Sequence, residues 1–186
     1  MSDALAPIAP HFKTTAVTEI ILKEKKVSFT GDSATIKTKD GATLFKIDAK
    51  LVSMSERRDL LDASGKVLGQ LRKKKMPGIH KTVYIGTDND EKKVAIVKKG
   101  LLDKLHCDAD IQIGDKVVGE AKGNWRSKEF SITINGKEVA HASRKLSMAS
   151  LALDADSYCI KIQPGVDQAF VSLIVIALDE LYHEED

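Results

Sequence analysis

VDQAFVSLIVIALDELYHEED, residues 166–186, closes the chain. From Ala169 to Leu178 every position but Ser172 is apolar, and a run of acids follows. Such a stretch is a membrane anchor, a strand or a buried helix, and the choice decides the fold. Its apolar part is about ten residues, whereas a membrane-spanning helix needs roughly twenty, and its flanks are acidic rather than basic. It also exceeds the five or six residues of an ordinary strand. Pro164-Gly165 interrupts the chain just ahead of it, and Asp167 is suited to cap a helix. A helix is therefore expected over about 167–182, in spite of the β-branched Val171, Ile174, Val175 and Ile176. A helix apolar on every side has to be surrounded.

The preceding chain supplies what surrounds it. From about Val17 to Ile162 the sequence runs in short alternating stretches broken by turn residues, the pattern of an all-β domain. Asp40-Gly41 separates ATIKTK from ATLFKIDAK, and Asn135-Gly136 separates EFSITI from KEVAHASRKL; both dipeptides accept the positive φ of tight hairpins. Ser64-Gly65 plays the same part between RRDLLDA and KVLGQLRK. In HCDADIQIG, Cys107, Ala109, Ile111 and Ile113 share one face, and Phe130, Ile132 and Ile134 do so in EFSITI. About twelve strands are expected. Eight-stranded barrels have room only for side chains, whereas barrels of eleven or more can hold a helix along the axis. The fold class predicted is mainly β, a closed antiparallel barrel of about twelve strands enclosing a hydrophobic C-terminal α-helix. Residues 1–16 are expected as a loose lead-in, 17–182 as one barrel domain and 183–186 as an acidic tail.

Composition agrees with one globular domain. A chain of 186 residues is long enough to bury roughly two-thirds of its unfolded surface, and 42% hydrophobic with 30% charged residues is ordinary. The net charge of +2 implies no partner, but its distribution is uneven. Arg72, Lys73, Lys74, Lys75 and Lys81 concentrate positive charge, while Asp179, Glu180, Glu184, Glu185 and Asp186 make the C-terminus acidic. Cys107 and Cys159 show no metal-ligand spacing and no disulfide framework, which favours a reducing compartment. The N-terminus, MSDALAPIAPHFKTTA, has no basic segment followed by an apolar one, so secretion is not expected.

The segments LLDASGKVLGQLRKKK and DADSYCIKIQPGVDQAFVSLIVIALDE give this order of elements a family likeness. The first resembles the hairpin of leucines, turn glycine and basic strand of the LURP-one-related branch of the tubby C-terminal-like superfamily. The second resembles that branch's last strand and central helix and, more distantly, the corresponding part of phospholipid scramblases. The resemblance spans most of the chain and implies a twelve-stranded barrel around a hydrophobic helix. It also implies a site, because the basic run is similar to the segment that supplies lysine and arginine to phosphoinositide headgroups in tubby domains. The residues that carry over are Arg72, Lys73, Lys74 and Lys75 on one side of a loop and Lys81 on the other. Lysine suits phosphate as a point charge and arginine can bind it bidentately. Four consecutive basic residues also suit a solvated hairpin edge, where lysine discourages strand addition.

The scramblase likeness raises calcium at Asp154, Asp156 and Asp167. An EF-hand loop would need an oxygen ligand where Tyr158 stands, a glycine at Cys159 and a glutamate at Gly165. Turn and cap roles fit these acids better. His11, His80, His106, His141 and His183 form no HExxH pair, and neither GxSxG nor a phosphate-binding glycine loop occurs. His141 and Ser143 would share a strand face, with no third group in the sequence to orient them. Trp125 is expected to cover a barrel end. No enzyme activity, cofactor or metal is expected.

Two functions stand: a membrane-surface or phosphoinositide-binding module, with anionic phospholipid headgroups as partners, and a protein-interaction barrel without a lipid ligand. The expected location is cytoplasmic, with a peripheral position at the inner membrane surface under the first reading. Nucleic acid is disfavoured by an aromatic content of 5% and a sequence pI near 8.4.

Overall fold

The computed structural model describes residues 12–23, 34–52, 55–73, 82–86, 94–99, 106–144 and 157–183. Twelve strands and one helix follow in chain order: β1 (Thr18–Lys23), β2 (Ala34–Thr38), β3 (Thr43–Val52), β4 (Ser55–Asp62), β5 (Val67–Lys73), β6 (Thr82–Gly86), β7 (Val94–Lys98), β8 (His106–Ile113), β9 (Lys116–Asn124), β10 (Glu129–Ile134), β11 (Lys137–Ser143), β12 (Ser157–Ile162) and α1 (Gln168–His183). The strands meander antiparallel, each beside its neighbour in sequence, and β1 pairs with β12 to close the barrel. Closure removes the unpaired edges that an open sheet would present to other chains.

The helix fills the barrel. Ala169, Val171, Leu173, Ile174, Val175, Ala177, Leu178 and Leu181 are all fully buried, and no one face of α1 is left for solvent. Inward residues of the strands meet them: Ile20, Ile36, Phe45, Leu60, Ile85, Ile96, Ile111, Ile132 and Ile160 belong to the same core. Ser172, the polar exception, donates its hydroxyl to the Gln168 carbonyl one turn back at 2.7 Å, so it enters the core already satisfied. Among the described residues no helix is long and apolar enough to cross a membrane.

At the N-terminal end of the helix Asp167 acts as the cap, accepting the amides of Ala169 at 2.9 Å and Phe170 at 3.3 Å. Part of the stretch expected as lead-in closes this end: Phe12 packs edge-on to the buried Phe45, and Lys13 bridges to Asp167. Asp167→Ala should lower stability by about 1 kcal/mol, read as a urea midpoint shift at unchanged slope, while Asp167→Asn keeps most of the cap. An Asn variant as unstable as the Ala variant would count against capping as the role.

Candidate functional site

The opposite end of the barrel, toward which the helix C-terminus points, gathers the chemistry. Here β5, β7, β9 and β11 end and β4, β8, β10 and β12 begin. The final turn of α1 brings Tyr182, whose hydroxyl donates to the Asp108 carbonyl at 3.0 Å and lies 2.8 Å from the Asp108 amide that donates to it. Its ring stacks on Trp125 with centroids 5.4 Å apart. Trp125, from the turn between β9 and β10, also tilts against Phe130 at 5.4 Å. The expectation that Trp125 covers a barrel end is met, and the ring is buried rather than offered to a ligand.

Two lysines are drawn into this plug. Lys98, at the end of β7, is 3% exposed, with its ammonium 4.5 Å from the centroid of Tyr182. Lys128 is 2% exposed, 3.4 Å over Trp125 and 5.6 Å from Tyr158. The stack runs Lys98, Tyr182, Trp125, Lys128, Tyr158, with the paired rings of Tyr182 and Trp125 between the two lysines and each cation lying over a negative aromatic face. Positive charge is also favourable beside the C-terminus of a helix, where the last carbonyls point. Arg58 serves that end too, in an ion pair with Glu180 of the helix. Cys107 sits beneath the same cluster, where burial first and the Asp108 charge second push its thiol up to about 12. Burial likewise raises Cys159 to about 11. Neither thiol is a ready thiolate at neutral pH.

The basic run meets this rim. β5 and β6 are hydrogen-bonded neighbours with Lys73 opposite Val83, so the chain leaves and re-enters the barrel at one place. Lys74, Lys75 and Lys81 lie outside the described residues, as do Asp154 and Asp156. Arg72 is exposed, opposite Arg57 of β4 on one side and Tyr84 of β6 on the other. Lys73 occupies the next register position. Carboxylates answer several other cations of the barrel. Arg57 forks onto the buried Asp59 at 2.8 and 3.2 Å, Lys99 reaches Asp110 at 2.7 Å and Asp108 at 3.2 Å, and Lys122 meets Glu120 at 2.7 Å. The hydrogen bonds that Lys99 donates to Asp110 and Asp108 hold its ammonium above its ordinary range, against some loss of hydration. Arg72 instead donates to the uncharged Gln70 carboxamide at 3.3 Å.

His141 and Ser143 do share the outer face of β11, and the group expected to be missing is Glu129 of β10. Ser143 donates to Glu129 Oε2 at 2.7 Å, and His141 Nε2 lies 3.1 Å from Glu129 Oε1. The other ring nitrogen lies 3.0 Å from Ser131 Oγ, and Ser131 donates to Glu138 at 2.6 Å. The serine nearest the ring thus gives its proton to a carboxylate rather than to the imidazole, unlike a nucleophile activated by histidine. Among the described residues no three His, Cys, Asp or Glu side chains come together as a metal site would require.

A family model described as LURP-one-related matches residues 18–179. Among curated proteins, LURP-one-related 15 of Arabidopsis thaliana is 26% identical over 177 residues, 90% of this chain and 81% of that one. LURP-one-related 10 of the same plant is 26% identical over 195 aligned positions, 97% of this chain and 98% of its own. A crystal structure of an Arabidopsis thaliana protein superposes with a TM-score of 0.67 at 19% identity, over 94% of this chain and 97% of that one, and has the same fold.

Proposed function

This chain belongs to the LURP-one-related family, and from that premise we propose that it is a non-enzymatic binding module for polyphosphorylated phosphoinositides at a cytoplasmic membrane surface. The observation that carries the reading is Arg72: an exposed guanidinium, hydrogen-bonded to a neutral amide, on the strand that runs into Lys73, Lys74 and Lys75. Arg57, opposite it on β4, is paired with the buried Asp59, whereas Arg72 has a neutral amide as its hydrogen-bond acceptor. The likeness of this run to the headgroup segment of tubby domains supports the same ligand.

Each basic residue near an anionic leaflet contributes about 1 kcal/mol, so Arg72, Lys73, Lys74, Lys75 and Lys81 together supply about 5 kcal/mol. Binding of that size is salt-sensitive, because exposed charges are screened over about 8 Å at physiological ionic strength. The full chain should bind vesicles containing polyphosphorylated phosphoinositide at low salt and release them as salt rises. Replacing Lys73, Lys75 and Lys81 by Glu should abolish binding, while circular dichroism shows the fold retained, since exposed charges add little to stability. Wild-type protein that ignores such vesicles at low salt, or a triple variant that binds equally well, would overturn the lipid reading in favour of a protein-interaction barrel.

A further inference from the structure

The polar chain on the outer face of β10 and β11 is more than a decorated surface, because of what it fastens. Glu129 opens β10 directly after the turn that carries Trp125 and Lys128, and that turn is the plug over the end of the helix. Inside the turn the Ser127 amide donates to Asn124 Oδ1 at 2.9 Å and the Lys128 amide to the Trp125 carbonyl at 3.1 Å. Lys128 holds a left-handed backbone, φ 54°, which is uncommon for a residue with a side chain. A strained turn that places a buried cation on a buried ring needs its ends held. Glu129 is one end, and it is held by His141 and Ser143 of β11.

Counting protons fixes the state in which the hold is complete. Ser131 gives its hydroxyl proton to Glu138, so toward His141 its oxygen can only accept. Glu129 Oε1 is a carboxylate oxygen and can only accept as well. A ring facing two acceptors satisfies both only when both of its nitrogens carry hydrogen. Either neutral tautomer turns a lone pair toward one of them. We propose that His141 is a proton-operated strap: doubly protonated, it links Ser131 to Glu129 and clamps the Trp125 turn, and on losing a proton it releases one link and loosens the plug.

Other charges around the ring have to be weighed. Besides Glu129 on β10 and Glu138 on β11, Lys122 of β9 stands opposite Ser131, and Glu120 of the same strand stands opposite Thr133. Lys161 of β12 stands opposite His141, with Glu19 of β1 beyond it. Lys122 is itself paired with Glu120. Two carboxylates thus lie on the hydrogen-bonded chain through His141, against a single lysine across the ladder.

Histidine changes charge between about pH 5 and 8, which sets the window for the test. Hydrogen exchange of the Ser127 and Lys128 amides in the full chain, corrected for intrinsic rates, should show an opening equilibrium that rises about threefold across that window, the size of a partly exposed ion pair. Acrylamide quenching of Trp125, the sole tryptophan, should rise with it. His141→Gln should be flat with pH at the high-pH wild-type value, while His106→Gln keeps the wild-type profile. If His141→Gln does not fold, Glu129→Gln, which leaves the ring in place, should flatten the profile in the same way. A pH-independent wild type, or a wild-type profile surviving in whichever of those two variants folds, overturns the strap.

Discussion

Ile174→Asp is expected to leave no folded protein. Ile174 is fully buried at the middle of a helix whose every side faces the barrel wall, so the carboxylate has no route to water by a rotamer change. Burying it unpaired costs several kcal/mol, and the lost isoleucine packing adds to that, against a total stability of roughly 5–15 kcal/mol for a domain. The comparison with Ser172 shows why polarity is tolerated two residues away from this fate. Its hydroxyl finds the Gln168 carbonyl within the helix, and a carboxylate at position 174 would find only apolar side chains and backbone acceptors. Expression should yield insoluble protein, or protein without a cooperative thermal transition by circular dichroism. A soluble Ile174→Asp variant with the wild-type spectrum and a cooperative transition would mean that the helix does not thread the barrel.

The helix was legible because its apolar residues left no polar stripe, and the strands were legible because alternation and turn dipeptides recur so regularly. Asn135-Gly136 takes φ of 50° and 74°, as a tight hairpin of that composition should. The plug was half legible. Val94, Ile96 and Lys98 stand two apart, so the register that buries the first two carries Lys98 inward as well. A lysine at a strand end is ordinarily read as solvated, and the aromatic ring of Tyr182 that it meets on burial stands 84 positions on in sequence. Lys128 gave no signal at all, since its burial depends on a left-handed turn that NWRSKE does not announce.

The candidate sites divide in the same way. Charge is additive along a sequence, so the run from Arg72 to Lys75 was visible as a charge. The pairing of Arg57, Lys99 and Lys122 is not, because Asp59, Asp110 and Glu120 meet those cations in positions that only folding supplies. His141 and Ser143 could be paired from the two-residue period of a strand, whereas Glu129 joins them only through the register in which Ser131 opposes His141. Cross-strand partners are set by hairpin geometry, and a bulge between Ile132 and Thr133 shifts that register within the same pair of strands.

Gly123→Ala is the second substitution expected to act strongly, and the reason lies in how closely β9 passes β10. Gly123 pairs with Phe130 and has φ of 149°, a conformation open to glycine and strained for any residue with a side chain. A methyl group there would fall on the Glu129 carbonyl oxygen, 2.5 Å from Phe130 Cα and 2.7 Å from Phe130 Cβ. The obstacle is mainly backbone, so no rotamer change relieves it, and the two strands must part where they support the Trp125 turn. The expected cost is about 3 kcal/mol, at the upper end for overpacking. Gly136 provides the comparison, for it too has positive φ, 74°, but no atom would lie within 4 Å of an added Cβ. Gly136→Ala should therefore cost only the left-handed strain, about 1 kcal/mol. Urea midpoints at matched slope should rank wild type above Gly136→Ala above Gly123→Ala, with the fluorescence of Trp125 altered in the last alone. Equal midpoints for the two variants would show that the approach of β9 to β10 is looser than the positions of Gly123 and Phe130 require.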